Sequence, residues 1–335
     1  PTGRETGEQL FGEGVLRCYL PYDFPFAVRR FLSHYRPEIG LLMETEIWFN
    51  LIRACRQRGV PLLLVNARLS ERSARRFARF PSLTRQGLQG LAAIAAQTRD
   101  DAARLASLGA DSVQVTGNLK FDMPPPASAL ELAQTLRARF GEARPVFLAA
   151  STREGEEARL LDALPRIGSP GFLTVIVPRH PQRFDEVAEL LKRRGISFQR
   201  RSAGAAIAPE TAVVLGDSMG EMFAYYGACD VAFVGGSLLP YGGQNLIEAA
   251  SMGKPVLVGP HTFNFAEAAE QAIAEGAALR VRDAEELAER VGELLRDRTR
   301  AATMGEAGLR FSARHRGATE KVLGLIGHFL GKGSN

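Results

Sequence analysis

Cysteine is scarce in this 335-residue chain: Cys18, Cys55 and Cys229, with no CxxC spacing. An odd, scattered set builds neither a disulfide framework nor a structural zinc site, so a reducing cytosol is the default compartment. Long apolar runs are missing too. None approaches the ~18 residues that crossing a bilayer requires, and the residues given are not expected to span a membrane. No fixed repeat is present, which excludes collagen and solenoid arrays. The chain opens at Pro1 without an initiator Met or a signal-peptide pattern, as expected of a fragment or a processed product. Nor is there a Walker loop, a GxGxxG after the first strand, an HExxH or a GxSxG. With 45% hydrophobic and 24% charged residues, the chain is globular. Its length suits two domains of roughly 150 residues each.

Charge is unevenly placed. Residues 1–122 carry 17 Lys and Arg against 12 Asp and Glu, whereas residues 123–335 carry 25 of each. A basic first half points to an anionic partner there: nucleic acid, phospholipid or a phosphorylated substrate. Aromatic residues do not interleave with the basic ones, which speaks against nucleic acid.

Short apolar runs alternate with amphipathic stretches throughout. Strands are expected over 15–20, 39–43, 61–65, 93–97, 113–116, 146–149, 172–177, 212–215, 231–234 and 255–258. Many lack polar alternation, as parallel strands covered on both faces do. Helices are expected over 70–88, 154–164, 183–194, 284–295 and 320–330, the last of unclear lobe membership. This alternation predicts an α/β protein with parallel sheets. Met123-Pro124-Pro125-Pro126 reads as a stiff linker. It separates a first lobe, 1–122, which looks truncated behind a turn-like Pro1-Thr2-Gly3, from a second, 127–335.

Four loops of the second lobe lie where open α/β sheets bind ligands, at strand carboxyl ends. In Gly242-Gly243-Gln244-Asn245-Leu246-Ile247-Glu248, glycines let backbone approach a ligand, and a helix from near Gln244 would point N–H groups at it. Asn245 and Glu248 share one face, and a carboxylate there suits the two hydroxyls of a ribose. A Gly-rich turn with a surface Glu explains the same residues equally well. Arg179, between Pro178 and Pro181, is held rigidly, and its fork matches a phosphate; His180 reads as structural. Gly216-Asp217-Ser218-Met219-Gly220-Glu221-Met222 offers main-chain donors to a base or phosphate, with Asp217 alternatively an N-cap. Ala150-Ser151-Thr152, before Glu154-Gly155-Glu156, has the same placement. Together these loops predict a nucleotide pocket.

In the first lobe, Met43-Glu44-Thr45-Glu46-Ile47-Trp48 puts two acids and the only Trp at a strand end. Acids there favour a functional role. Lys120, in Thr116-Gly117-Asn118-Leu119-Lys120-Phe121-Asp122, should face an interlobe cleft or form a hinge salt bridge. Arg68, Arg72, Arg75, Arg76 and Arg79 recur at three- and four-residue steps and would make one basic stripe on a helix. Such a stripe is either a solvated face or, given its arginine bias, a phosphate-binding surface.

Taken together, these motifs resemble the 3-deoxy-D-manno-octulosonic acid (Kdo) transferase family of lipopolysaccharide synthesis. Leu20-Pro21-Tyr22-Asp23, Asn66-Ala67-Arg68-Leu69-Ser70, Gly235-Gly236-Ser237 and Gly259-Pro260-His261-Thr262 complete a match that runs through nearly the whole chain. The resemblance implies two Rossmann-like lobes facing a cleft, the B-type glycosyltransferase fold. It also implies transfer of Kdo from CMP-Kdo to a lipid A precursor at the cytoplasmic face of the inner membrane, with inversion and no metal or other cofactor. By position, Glu44 and Lys120 match transition-state-stabilising residues. Pro178, Arg179, Met219, Gly220, Glu221, Asn245, Leu246, Ile247 and Glu248 match CMP-binding positions. Gln244 and Arg153 stand where the family usually has His, and Phe49 where it has Pro. The family's catalytic base sits in a segment expected upstream of residue 1, so transfer by residues 1–335 alone should be very slow. A nucleotide-sugar epimerase of the same fold and a two-lobe ligand-binding protein are the rival readings.

Overall fold

The computed structural model describes residues 7, 8 and 11–331. Pro1-Thr2-Gly3 lies outside them. The chain divides into two compact units, one holding the residues up to Asp122 and from Arg316 onward, the other Met123–His315.

The first unit carries a four-stranded parallel sheet in the order β1-β2-β3-β4. Its strands are β1 (Gly40–Met43), β2 (Leu62–Ala67), β3 (Ala93–Ala96) and β4 (Val113–Val115). Successive side chains of a strand point to opposite faces, and both faces of β2 are covered. Leu62 and Leu64 pack with Val28, Leu32, Ile52, Leu88 and Leu105 of the helices on one side. Leu63 and Val65 pack with Val322, Leu325, Ile326 and Phe329 on the other. These last residues belong to the helix Ala318–Gly331, which is why the end of the chain groups with its beginning. Asp122 fastens that helix by accepting the main-chain N–H groups of Gly317 and Thr319. Burial alone would raise its pKa, but these bonds and nearby Arg316 outweigh that and hold it low.

Two sequence expectations fail here. Residues 15–20 form no strand: Leu16 is 87% exposed, and an apolar run without a neighbouring strand to pair with stays irregular. The single helix over 70–88 is two, Glu71–Phe77 and Pro81–Gln89. Pro81 lacks the N–H that would continue the first, and starts the second, where its fixed φ is favourable.

The second unit carries a seven-stranded, wholly parallel sheet in the order β11-β10-β9-β5-β6-β8-β7. Its members are β5 (Val146–Thr152), β6 (Leu173–Pro178), β7 (Phe198–Arg200), β8 (Val213–Leu215), β9 (Val231–Val234), β10 (Val256–Val258) and β11 (Ala278–Arg280). The edge strands β7 and β11 escaped the sequence reading, since Phe-Gln-Arg and Ala-Leu-Arg lack the unbroken apolar run of the equally short β8 and β10. From β5 the chain proceeds to β6 on one side, and from neighbouring β9 to β10 on the other. The switch point, where open α/β sheets leave a crevice, therefore lies at the carboxyl ends of β5 and β9.

Two devices set the loops there. A Cβ on Gly235 would stand 2.7 Å from the Ser151 carbonyl oxygen, so only glycine lets the two backbones touch. The second is Glu156, wholly buried at the start of the helix Glu156–Ala163. Its carboxylate accepts N–H bonds from Gly236 at 2.7 Å, Leu238 at 2.9 Å and Arg153 at 2.9 Å, tying the loop after β5 to the loop after β9. Burial raises the Glu156 pKa; the three N–H groups oppose that rise and neighbouring Glu157 adds to it.

Glu156→Gln keeps one acceptor oxygen and turns an NH2 toward main-chain donors. It should cost about 1–3 kcal/mol of stability, by the penalty for unpairing buried groups. That is about 2–4 °C in Tm per kcal/mol for a unit of this size. The unfolded chain ionises Glu156 before the folded one does. Parent stability should therefore decline as pH rises from the ordinary Glu pKa through the raised one, and the Gln variant should lack that decline. Thermal melts across pH and amide exchange at Gly236 and Leu238 check both; protection unchanged in the variant would refute the bridging role.

Candidate functional site

At the switch-point crevice the main chain steps through conformations that few residues adopt. Ser151, where the β5–β6 register shifts, has φ +54°, and Gly236 follows with φ +69°. Arg179 N–H donates to the Thr152 carbonyl at 3.0 Å, fixing the start of the loop after β6. The exposed Arg179 side chain reaches across, its Nε donating to Gln244 Oε1 at 3.2 Å. Asn245 caps the six-residue helix Leu246–Ser251, which begins two residues later than the sequence suggested. Its Oδ1 accepts from Ile247 N–H at 3.1 Å while its Nδ2 donates to Glu248 Oε1 at 3.0 Å. Burial raises the Glu248 pKa, and the Asn245 bond and the Arg179 charge pull against that rise. Arg179 is thus bonded to Gln244 and Asn245 to Glu248, two pairs that meet where Gln244 and Asn245 adjoin in the chain.

Pro178, Leu246 and Ile247 have different standing. All three side chains are buried, and Leu246 and Ile247 belong to the core. Nor does the short helix present the Ile247 N–H to a ligand, since Asn245 already takes it.

Next to this group, Met219 is 57% exposed and Gly220 has φ +77°. A network beneath holds their loop. Ser218 Oγ donates to Glu221 Oε2 at 2.6 Å and shares a hydrogen bond with the Tyr225 hydroxyl at 2.7 Å. Arg201 donates to Glu221 Oε1 at 3.2 Å. Burial drives the Tyr225 pKa upward, so the phenol stays neutral. Asp217 is not an N-cap: it accepts from the Ser202 N–H at 2.8 Å and hydroxyl at 2.6 Å, and pairs with Arg200 at 3.5 Å. Arg201 was not singled out from sequence, yet its buried Nε lacks a hydrogen-bond partner. Arg153 also joins the site, its guanidinium 4.6 Å over the Tyr241 ring. Slight burial, then Arg153, Arg179 and Arg183, lower the His180 pKa, marking a cationic neighbourhood suited to an anion.

In the first unit, Glu44 ends β1 with φ +59°, a left-handed conformation uncommon outside glycine. Its N–H donates to the Val65 carbonyl at 3.0 Å. Lys120 Nζ lies 3.7 Å from Glu44 Oε1, with both side chains about two-fifths exposed. Asn66, also left-handed at φ +52° and buried, accepts the Leu119 N–H at 3.2 Å and so sets the turn carrying Lys120. Sequence reasoning quoted Asn66 without giving it that role. Glu46 accepts from Trp48 Nε1 at 2.7 Å. Asp23 accepts the N–H groups of Asn50 and Leu51, capping the helix Phe49–Gln57 from a distance.

The arginines are not one stripe. Arg72, Arg75 and Arg76 ride on Glu71–Phe77, while Arg68 precedes it and Arg79 follows it. Arg72, Arg75, Arg76 and Arg79 nevertheless line one surface depression of about 410 Å3. Among the described residues no cluster of His, Cys, Asp and Glu could hold a metal ion, and no helix is long and apolar enough to cross a membrane.

Residues 1–123 match the profile of the 3-deoxy-D-manno-octulosonic-acid transferase (kdotransferase) family, and residues 197–311 that of the glycosyl transferases group 1. The 3-deoxy-D-manno-octulosonic acid transferase of Bordetella pertussis is 47% identical over 98% of this chain and 79% of its own length. The C-terminal CMP-Kdo binding domain of WaaA from Acinetobacter baumannii is 35% identical with a TM-score of 0.53, covering 56% of this chain and 98% of that domain. A glycosyltransferase from Rickettsia africae shares the fold at 14% identity, with a TM-score of 0.64 over 94% of this chain and 84% of its own. Two parallel-sheet α/β units with such neighbours make this the B-type glycosyltransferase fold. The chain belongs to the Kdo transferase family.

Proposed function

We propose that this chain transfers Kdo from CMP-Kdo to a lipid A precursor of the lipid IVA type in lipopolysaccharide biosynthesis, with inversion, without a metal, at the cytoplasmic face of the inner membrane. Met123–His315 binds the donor and the unit ending at Asp122 serves the acceptor. The observation that carries this reading is the connected group Arg179–Gln244–Asn245–Glu248 at the switch point of the second sheet. Arg179 meets the donor phosphate, whose negative charge grows as CMP departs. Glu248 accepts from the ribose hydroxyls. Met219, Gly220 and Glu221 present the loop that borders the base, while Pro178, Leu246 and Ile247 support these groups from the core. Glu44 and Lys120 act on the transition state, where a carboxylate and an ammonium held ready stabilise charge as it develops.

The CMP site depends on charge at both ends. Arg179→Ala should weaken CMP by about 1.5–3 kcal/mol, roughly one to two decades. Glu248 must be ionised to accept two hydroxyls, and its pKa is raised. CMP affinity should therefore fall on acidification at a higher pH than an ordinary Glu would give, and Glu248→Gln should flatten that profile. Calorimetry across pH decides; equal affinity of Arg179→Ala and parent would sink the assignment.

Lys120→Ala, in a preparation that turns over CMP-Kdo, should lower kcat with little change in CMP affinity. An affinity loss at unchanged kcat would instead make Lys120 a binding residue.

Arg72, Arg75 and Arg76, with Arg68 and Arg79 nearby, contact acceptor phosphates or anionic headgroups. Contacts of this kind contribute about 1 kcal/mol per basic residue and weaken with salt. Replacing Arg72, Arg75 and Arg76 by Gln should reduce co-sedimentation with anionic liposomes; salt-insensitive, unchanged sedimentation would return them to a solvated surface.

A further inference from the structure

Beside the loop after β1, the first unit has a half-open cavity of about 400 Å3 walled by Phe49, Leu69, Phe77, Phe80 and Leu83, with Thr45, Ser73, Arg76 and Thr84 as polar lining. Leu83 is 48% exposed, so the wall it forms also meets solvent. Two of its lining residues connect it to groups already described. Thr45 is bonded directly to Glu44, and Arg76 also lines the cationic depression with Arg72, Arg75 and Arg79. Aromatic and aliphatic walls favour an apolar occupant, and four guanidiniums favour an anion. Because the two spaces share Arg76, their linings together match one amphiphile with an anionic head and an apolar tail.

We propose that this cavity receives one acyl chain of a phosphorylated acceptor lipid, with a phosphate of the same molecule against Arg76 and its neighbours. The proposal rests on the reading of the acceptor as such a lipid and adds where a chain goes. Binding there places the polar part of the acceptor on the Glu44 side of the cavity, and makes acceptor affinity depend on chain length as well as on charge.

Trp48, the only tryptophan, precedes Phe49 and reports on the site by fluorescence. The probes are inorganic phosphate and hexyl, octyl and decyl phosphate, each below its micelle concentration. Affinity should climb about four-fold per methylene as the chain enters the cavity, by the transfer free energy of a buried CH2, with inorganic phosphate weakest. Leu83→Arg sets a charge at the half-exposed wall and should remove the chain-length dependence while leaving inorganic phosphate binding intact. A flat series in the parent protein overturns the proposal without recourse to any variant. So does a series equally steep in Leu83→Arg. Vesicles of phosphatidylcholine and phosphatidylglycerol separate a single chain from a bilayer. If Leu83→Arg loses vesicle binding but keeps the decyl phosphate affinity, the cavity wall serves the bilayer and the proposal fails. CMP affinity on the same samples tests the donor site independently, so its loss would refute that reading and leave the chain-length result standing.

Discussion

One buried carboxylate holds the switch point of the larger sheet together. Glu156 takes main-chain N–H groups from two loops about 80 residues apart, and no residue with fewer acceptor lone pairs could satisfy all three. The contact at Gly235, where a Cβ would strike Ser151, leaves the loops no room to drift apart or slide. Arg179 is positioned from one of them through Thr152, and Gln244 from the other through the Gly243 N–H to the Gly236 carbonyl. The polar group that ends at Glu248 therefore inherits its geometry from a residue that is itself out of solvent's reach.

Backbone strain marks the corresponding places in both units. Glu44, Asn66 and Ser151 account for three of the four non-glycine residues with positive φ among those described, and all three lie at or near strand carboxyl ends. Asn66 and Ser151 also sit where strand register shifts. A left-handed residue at a strand end costs of order 1–3 kcal/mol and persists only where its surroundings hold it. Here they do. Asn66 is fixed by bonds to Leu119 and Gln97, and Glu44 by its main-chain bond to Val65 and the ion pair with Lys120. An exposed ion pair at 3.7 Å contributes ~1 kcal/mol or less, so the pair alone does not explain the strained Glu44.

Much of this was legible in the sequence because buried parallel strands announce themselves as unbroken apolar runs. The strands β1 to β6 and β8 to β10 lie within a few residues of where such runs placed them. Residues 15–20 show the limit: an apolar run specifies a strand only if another strand pairs with it. The pattern over 70–88 promised one helix because periodicity ignores what a single proline does, and Pro81 divides it. The loops at the strand carboxyl ends were legible from their glycines and charges. Glu156 was not, because its partners are main-chain amides whose approach no local spacing encodes. Leu246 and Ile247 show the converse, since a motif carries its supporting core residues along with those that reach a ligand.

Gln244, Arg153 and Phe49, the positions at which the sequence reading expected other residues, are each packed against a partner that can be named. A Cβ on Gly236 would meet Gln244 Nε2 at 3.2 Å and Arg153 Cγ at 3.4 Å, so both side chains flank the same glycine. Gln244 offers Arg179 an acceptor oxygen, where an imidazole would offer a ring nitrogen, and only while neutral. Arg153 adds a permanent charge and lies over Tyr241, whose hydroxyl donates to the Glu154 carbonyl at 3.2 Å. Phe49 is matched in the same way by Gly87, where a Cβ would stand 2.5 Å from the phenyl ring. Each departure is one half of a packed pair, and the other half can be named.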